Sequence, residues 1–220
     1  MPLAQIVRLV DDKLRTVALG GGTDQGGRDR AIEQAVVQYS VDAPRRLVAE
    51  AVVNGDSMAT PAGWVDGRSA LSGVEWPLGR LPATMVAAAE AYDGSAWSIV
   101  LAEPLVGATV RIHYTAPHEL TDSACTMPVE HENAVASWAA AELCRQLATQ
   151  KGYDRDSTIS AAAVNGQSQS GDLSRRAKDW LAVYRTQLGL PDPDKVQGPR
   201  PAGAVVSFAS DRRRGRFTSV

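Results

Sequence analysis

Helical spacing of apolar residues is confined to the two ends of this 220-residue chain, and the block between them reads in period two. Such a chain must make two helical arms, far apart in sequence, that bury their stripes against one another or against a partner. It must also give the middle block a buried face of its own. In the first arm Leu3, Ile6, Val7, Val10, Leu14 and Val17 recur at i, i+3, i+4 and i+7. Arg8, Asp11, Asp12 and Arg15 fall between them and face solvent or a partner. The cluster Gly20, Gly21, Gly22, Gly26 and Gly27 ends that helix in a turn. A second helix is predicted from about Arg28 to Tyr39, with Ile32, Ala35, Val36 and Tyr39 on one face, stopped by Ser40, Asp42 and Pro44.

From Arg45 to His118 the expected strands are Leu47–Val53, Ala70–Trp76, Thr84–Tyr92, Trp97–Leu101 and Thr109–Thr115. Asn54-Gly55, Pro61-Ala62-Gly63, Pro77 with Gly79, Asp93-Gly94, and Pro104 with Gly107 separate them as turns, and Asp93-Gly94 carries the strongest hairpin signal. Thr84–Tyr92 is alanine-rich, so it reads as a strand or as a helix. Helical spacing returns at Pro128, which opens a helix with Glu130 and Glu132 where acids complement the helix dipole. This helix is expected to run to about Lys151, with Val129, Ala136, Ala140, Leu143 and Leu147 as its stripe. Val135 and Trp138 lie outside the stripe, on the side of Glu142 and Arg145. A tryptophan there needs a cover, supplied by the sheet, by another helix of the chain, or by another subunit. Asp154–Ser170 reads as polar and irregular. A last helix is predicted from Asp172 to Leu188 on Leu173, Ala177, Trp180, Tyr184 and Leu188, ended by Gly189 and Pro191.

The fold class is therefore α+β. A helical bundle is expected from residues 1–44 and 119–190, with an antiparallel β-domain, 45–118, inserted into it, and an extended arm, 191–220. The arm holds Pro191, Pro193, Pro199 and Pro201 and no sustained period. It ends in Val205, Val206 and Phe208, then in Arg212, Arg213, Arg214, Arg216 and Phe217. A segment of this kind adds a strand to another sheet and clamps it with arginines.

Composition narrows the function classes. Hydrophobic residues at 44% and charged residues at 22% are those of a globular chain. The net charge of −2 argues against a body that binds nucleic acid as a whole. Charge is segregated: residues 191–220 hold six bases against three acids, +3, which leaves 17 against 22, −5, for the other 190. A basic arm on an acidic body points to an acidic contact surface, the neighbouring copy's included. Cys125 and Cys144 have no metal-ligand spacing and read as thiols in a reducing compartment. Asp11 and Asp12 arrive before a signal-length apolar run develops, and no stretch reaches membrane-spanning length, so assembly in cytoplasm without a membrane is expected.

No catalytic, cofactor or metal constellation completes itself. Gly20–Gly22 lacks the Gly-Lys-Ser/Thr of a phosphate loop, and His131-Glu132 is followed by Val135 where a zinc helix needs a second histidine. Gly67-Arg68-Ser69 is no nucleophile elbow, and Asp154 and Asp156 extend into no calcium loop. His113, His118 and Asp122 are close enough in sequence to suggest an acid/base group, the basis of an alternative hydrolase reading that requires them to converge in a pocket. The arginines of the arm also permit non-specific contact with DNA phosphates.

A family resemblance lies in the order of several segments. Arg28–Ile32 through Tyr39–Arg45 resembles the second helix and exit turn of tailed-bacteriophage head–tail adaptors. Ser69–Gly79 (SALSGVEWPLG) resembles a strand of those adaptors that carry a β-insertion, and Val110–Leu120 (VRIHYTAPHEL) the strand that returns to the bundle. Ala134–Ala148, Ser157–Ser160 and Arg175–Tyr184 resemble the last two helices and their connection. The resemblance covers about residues 3–190. It implies a non-enzymatic virion protein, without cofactors, in a ring usually of twelve copies. Such a ring docks on the portal, joins it to the tail or a tail-completion protein at the neck, and lets DNA through its lumen without sequence-specific contact. Trp138, Glu142 and Arg145 are then expected at a subunit or portal contact, and Val205, Val206, Phe208, Arg212, Arg213, Arg214 and Phe217 at the arm's contact. A neck or tail-completion ring is the neighbouring alternative.

Overall fold

The computed structural model describes residues 2–14, 25–153 and 161–191, and among these every side chain except those of 25, 152–153 and 161–168. Gly20–Gly22, Val17, Asp154, Asp156, Ser157–Ser160 and the arm from 192 onward lie outside the described residues. The described chain is α+β, with four helices and an antiparallel sheet of five strands.

Helix α1 (Pro2–Leu14) buries Ile6, Val10 and Leu14, the stripe its spacing sets up. Helix α2 (Gln25–Asp42) starts earlier than expected and takes Gly26 and Gly27 into its first turn, where poor helix formers cost least. Arg28 of that turn pairs with Asp11 of α1 at 3.0 Å. Helix α3 (Val129–Tyr153) packs against α1, α2 and the final helix α4 (Ala161–Leu188). Enclosure on three sides explains why its single-stripe reading fails. Val129 is 73% exposed, while Val135, expected off the stripe, is fully buried together with Ala134, Ala136, Ala139, Ala140 and Ala141. A helix surrounded by others loses its one-sided period. The alanines let its neighbours come close, and Ile6, Ile32, Tyr39, Leu143 and Cys144 fill the remaining space.

Helix α4 begins at Ala161, so residues 161–170, expected to be irregular, belong to the helix. Their polarity hid the helical pattern, and within this stretch the Ser170 hydroxyl donates to the Ala148 carbonyl at 3.0 Å. At its end Leu190 N–H bonds Arg185 C=O, Gly189 N–H bonds Thr186 C=O, and Gly189 takes φ 65°. This pair of bonds needs a left-handed residue, and glycine supplies it without steric cost.

The sheet is ordered β1-β5-β2-β3, with β4 paired to β5 beyond the end of β2. Strand β1 is Arg45–Ala59, β2 Ala70–Glu75, β3 Met85–Val86, β4 Ala88–Tyr92 and β5 Trp97–Ala116. The alanine-rich stretch is thus strand, in two pieces. Asp93-Gly94 forms the β4–β5 hairpin. Asp93 Oδ1 accepts from the Ala96 N–H and from the hydroxyl and N–H of Ser95, and these bonds hold its carboxyl down to about 2. Asn54-Gly55 and Pro104 with Gly107, expected as breaks between strands, lie instead inside one long β1–β5 pair. Register jumps from Gly55↔Leu105 to Ser57↔Val100, so Leu101–Pro104 bulge out opposite Asp56. Gly107 at φ 64° donates its N–H to Asn54 Oδ1 at 2.9 Å, which caps the irregularity. Turn residues here bend a ladder without ending it.

Alternation sorts the two faces. Leu47, Ala49, Ala51 and Val53 of β1 and Val110, Ile112, Tyr114 and Ala116 of β5 turn inward, where Val74, Ile99 and Leu101 join them. Trp64, from the loop after β1, lies 6.0 Å from the Tyr114 ring and covers one end. Glu50, Arg111, His113 and Glu75 turn outward, with Arg111 bonding both Glu50 at 3.0 Å and Glu75 at 3.3 Å.

Candidate partner-binding surface

Side-chain bonds join the helices derived from the two ends of the chain. Lys13 Nζ donates to Asn133 Oδ1 at 2.7 Å and lies 4.6 Å from the centre of the Trp180 ring. Tyr39 Oη and His131 Nδ1 are 2.6 Å apart, and Tyr184 Oη donates to Asp42 Oδ2 at 2.6 Å. Burial, then the neighbouring Asp42 carboxylate, pushes the Tyr184 hydroxyl far above its ordinary range. It therefore stays a donor at every physiological pH.

Around Asp42 and Tyr184 the ends of α2 and α4 and the middle of α3 leave an open cavity of about 490 Å³. Trp138 and Arg145 of α3 line it, with Gln38 and Asp42 of α2 and Arg185 of α4. Sequence spacing singled out Trp138 and Arg145, and both are here. Trp138 is half-buried, one side resting on the helical core, and α4 supplies Leu181 and Tyr184 to the same cavity. Another helix of the chain therefore covers part of the indole, and the rest faces the opening. Glu142 stands just outside the lining and reaches Arg145 at 3.7 Å. A solvated pair of this kind contributes little to stability. A half-covered tryptophan beside two arginines and a bonded carboxylate is the residue mixture that dominates protein–protein interfaces. Spacing gave no hint of Gln38, Asp42 and Tyr184. Asp42 read as a helix stop and Tyr184 as stripe, and only the fold joins positions 142 apart.

His113, His118 and Asp122 share no bond. His113 Nε2 lies 3.4 Å from Glu75 on the outer face of the sheet, while Asp122 is exposed in the turn Thr121–Ala124. His118 packs its ring against Tyr39, centroids 4.8 Å apart. Its Nε2 is 3.0 Å from the Ala43 carbonyl and must be the protonated nitrogen, which leaves Nδ1 to accept from Thr126 Oγ1 at 3.2 Å. With both nitrogens engaged, the ring is a joint between the end of the sheet and α2. Among the described residues no three His, Cys, Asp or Glu side chains group to hold a metal. Val205, Val206, Phe208, Arg212, Arg213, Arg214 and Phe217 lie outside the described residues.

Burial holds the His118 imidazole below its ordinary 6.5, with Arg45 and His131 pushing the same way against the raising effect of the Ala43 carbonyl. The unfolded chain therefore takes up this proton near pH 6.5, and the folded chain only at lower pH. Stability is complete above about 6.5 and is lost as pH falls through the folded value. The melting temperature should drop between pH 7.5 and 5.5 and drop less in His118→Gln, whose amide can still donate to Ala43. Equal pH slopes in the two proteins would remove His118 as the source.

No protein-family model matches the chain, and no curated protein matches it in sequence. No helix among the described residues is long and apolar enough to cross a membrane.

Proposed function

We propose that this chain is a structural head–tail adaptor of a tailed bacteriophage, one subunit of a ring, usually of twelve copies, that docks on the portal at the virion neck. On this reading residues 1–44 and 119–190 form one discontinuous bundle, 45–118 is an inserted β-domain, and 191–220 is an arm. The ring joins portal to tail or tail-completion protein and lets DNA pass through its lumen without reading it. The subunit turns nothing over and carries no cofactor; its work is geometric.

The observation that carries this reading is the cavity at Asp42–Tyr184. Helices α2 and α4 close on α3 there, yet leave Trp138 and Arg145 at an open edge. A ring contact joins two different surfaces of one chain head to tail and closes by rotation. This edge is suited to be one of them, with Arg145 and Glu142 exchanging their weak mutual pair for contacts across the interface. The arm, through Val205, Val206 and Phe208 and then Arg212, Arg213, Arg214 and Phe217, supplies a second contact, on the portal or a neighbouring subunit.

Imaging the chain purified together with its portal tests this directly. The expected result is a closed ring stacked coaxially on the portal. A ring that ignores the portal but caps tail tubes would move the protein one layer down, to a tail-completion role. A chain that stays monomeric with both would end the proposal.

A further inference from the structure

The outer face of the sheet carries a row of alternating charge, and the row ends on an open edge. Glu75 of β2 lies opposite Arg111 of β5, and Arg111 lies opposite Glu50 of β1. Arg111 bonds both carboxylates, Glu75 at 3.3 Å and Glu50 at 3.0 Å. Strand β1 comes last in the sheet order, so beyond Glu50 no strand follows among the described residues. From Arg45 to Val53 it keeps unbroken register with β5, and the first shift, after Val53, bends it away. Leu47, Ala49 and Ala51 face the core from this edge and stay only half-buried. An unpaired edge of this length accepts another chain unless its side chains forbid it.

We propose that a second copy of this chain occupies the edge, its β1 running antiparallel to β1 about a two-fold axis through Val48. The side chains select this register. Val48, 56% exposed, meets Val48 of the second copy. The exposed Arg46 falls opposite Glu50 of the second copy, and Glu50 opposite the second copy's Arg46. The row Glu75–Arg111–Glu50 thereby gains the base that its alternation calls for. On the inner face Leu47 falls opposite Ala49, and Ala49 opposite Leu47, large against small. Pro44, which has no N–H, ends the pairing opposite Val52. Neighbouring registers fail. An axis through Arg46 or Glu50 sets two like charges face to face, and one through Leu47 or Ala49 sets Val48 against Arg46 or Glu50. Charges that keep other chains off the edge in most registers thus admit this chain in one. Neighbours in a cyclic ring are not related by a two-fold axis, so the pair is a form of the free subunit and stands apart from the adaptor reading.

Native mass and sedimentation of the full chain test it, with Arg46→Glu and Glu50→Lys measured separately and mixed. The natural chain should form dimers at concentrations on the order of 100 µM, in keeping with a small interface. Each variant alone sets two like-charge pairs across the edge and should dimerise about 10-fold or more weakly. Mixed in equal amounts, the two variants restore both opposite-charge pairs, and the heterodimer should recover close to the natural affinity. A natural chain that stays monomeric, or a mixture that associates no better than its components, would overturn the proposal. So would any assembly that both single variants leave intact, which places the contact on another surface; a mass of many subunits in that case reports the ring instead. Should Glu50→Lys fail to fold, amide exchange on the natural chain decides. Alternate amides of residues 45–52 should slow between about 1 and 100 µM while α3 amides keep their rates, and equal rates at both concentrations would overturn the pairing.

Discussion

Tyr39→Ala should cost about 3–5 kcal/mol of unfolding free energy, the range for truncating a large buried aromatic side chain. Tyr39 is 1% exposed and does three things at once. Its ring fills the helical core and packs at a tilt on His118 at the end of the sheet, and its hydroxyl meets His131 at the start of α3. At ~2–4 °C per kcal/mol for a chain of this size, the melting temperature should fall by about 6–20 °C. Tyr39→Phe keeps the ring and removes only the bond to His131, so about 1–2 kcal/mol is expected. Thermal unfolding followed by circular dichroism reads both. An alanine variant within about 1 kcal/mol of the natural chain would mean that the helices and the sheet do not depend on this joint.

The second large effect concerns association. If the chain forms the proposed ring, Trp138→Ala with Arg145→Glu should give a subunit that folds and does not assemble into it. Central tryptophan and arginine residues of an interface each account for about 2 kcal/mol or more, some 30-fold in affinity, and a ring multiplies the loss over all its contacts. Arg145→Glu alone is the cleaner probe, since that side chain is 53% exposed and its pairing with Glu142 is loose. Its melting temperature should stay within ~1–2 °C of the natural chain while native mass falls. Rings of unchanged mass in the double variant would take this surface out of the interface.

The α+β class and the order of elements were legible from periodicity because α1, β1 and the inward half of β5 each bury one face only. Ile6, Val10 and Leu14, or Val110, Ile112 and Tyr114, announce their environment by spacing alone. The reading failed where burial has no side. Helix α3 is covered on three flanks, so Val135 misled in one direction and the exposed Val129 in the other. It also failed where a turn signal serves a bend, as at Gly55 and Gly107, because sequence does not say whether a left-handed residue ends a strand or kinks it. At the candidate surface Trp138 and Arg145 could be found, being out of phase with their own helix. Asp42 and Tyr184 could not, since a hydrogen bond between residues so far apart leaves no local pattern.

Arg45 and Ala116 are direct cross-strand partners. The chain therefore leaves the helical layer and returns to it through a doorway only ~5 Å wide. The residues between them form the whole sheet and also meet α2 at this end, where Gly67 and Arg68 share a cavity with Val37, Ser40 and Val41. It is therefore the opposite end of the sheet that can be trimmed or enlarged at little cost to the helices. A lineage carrying this chain could reshape what the sheet touches many times over while leaving the helices, and whatever they hold, as they are.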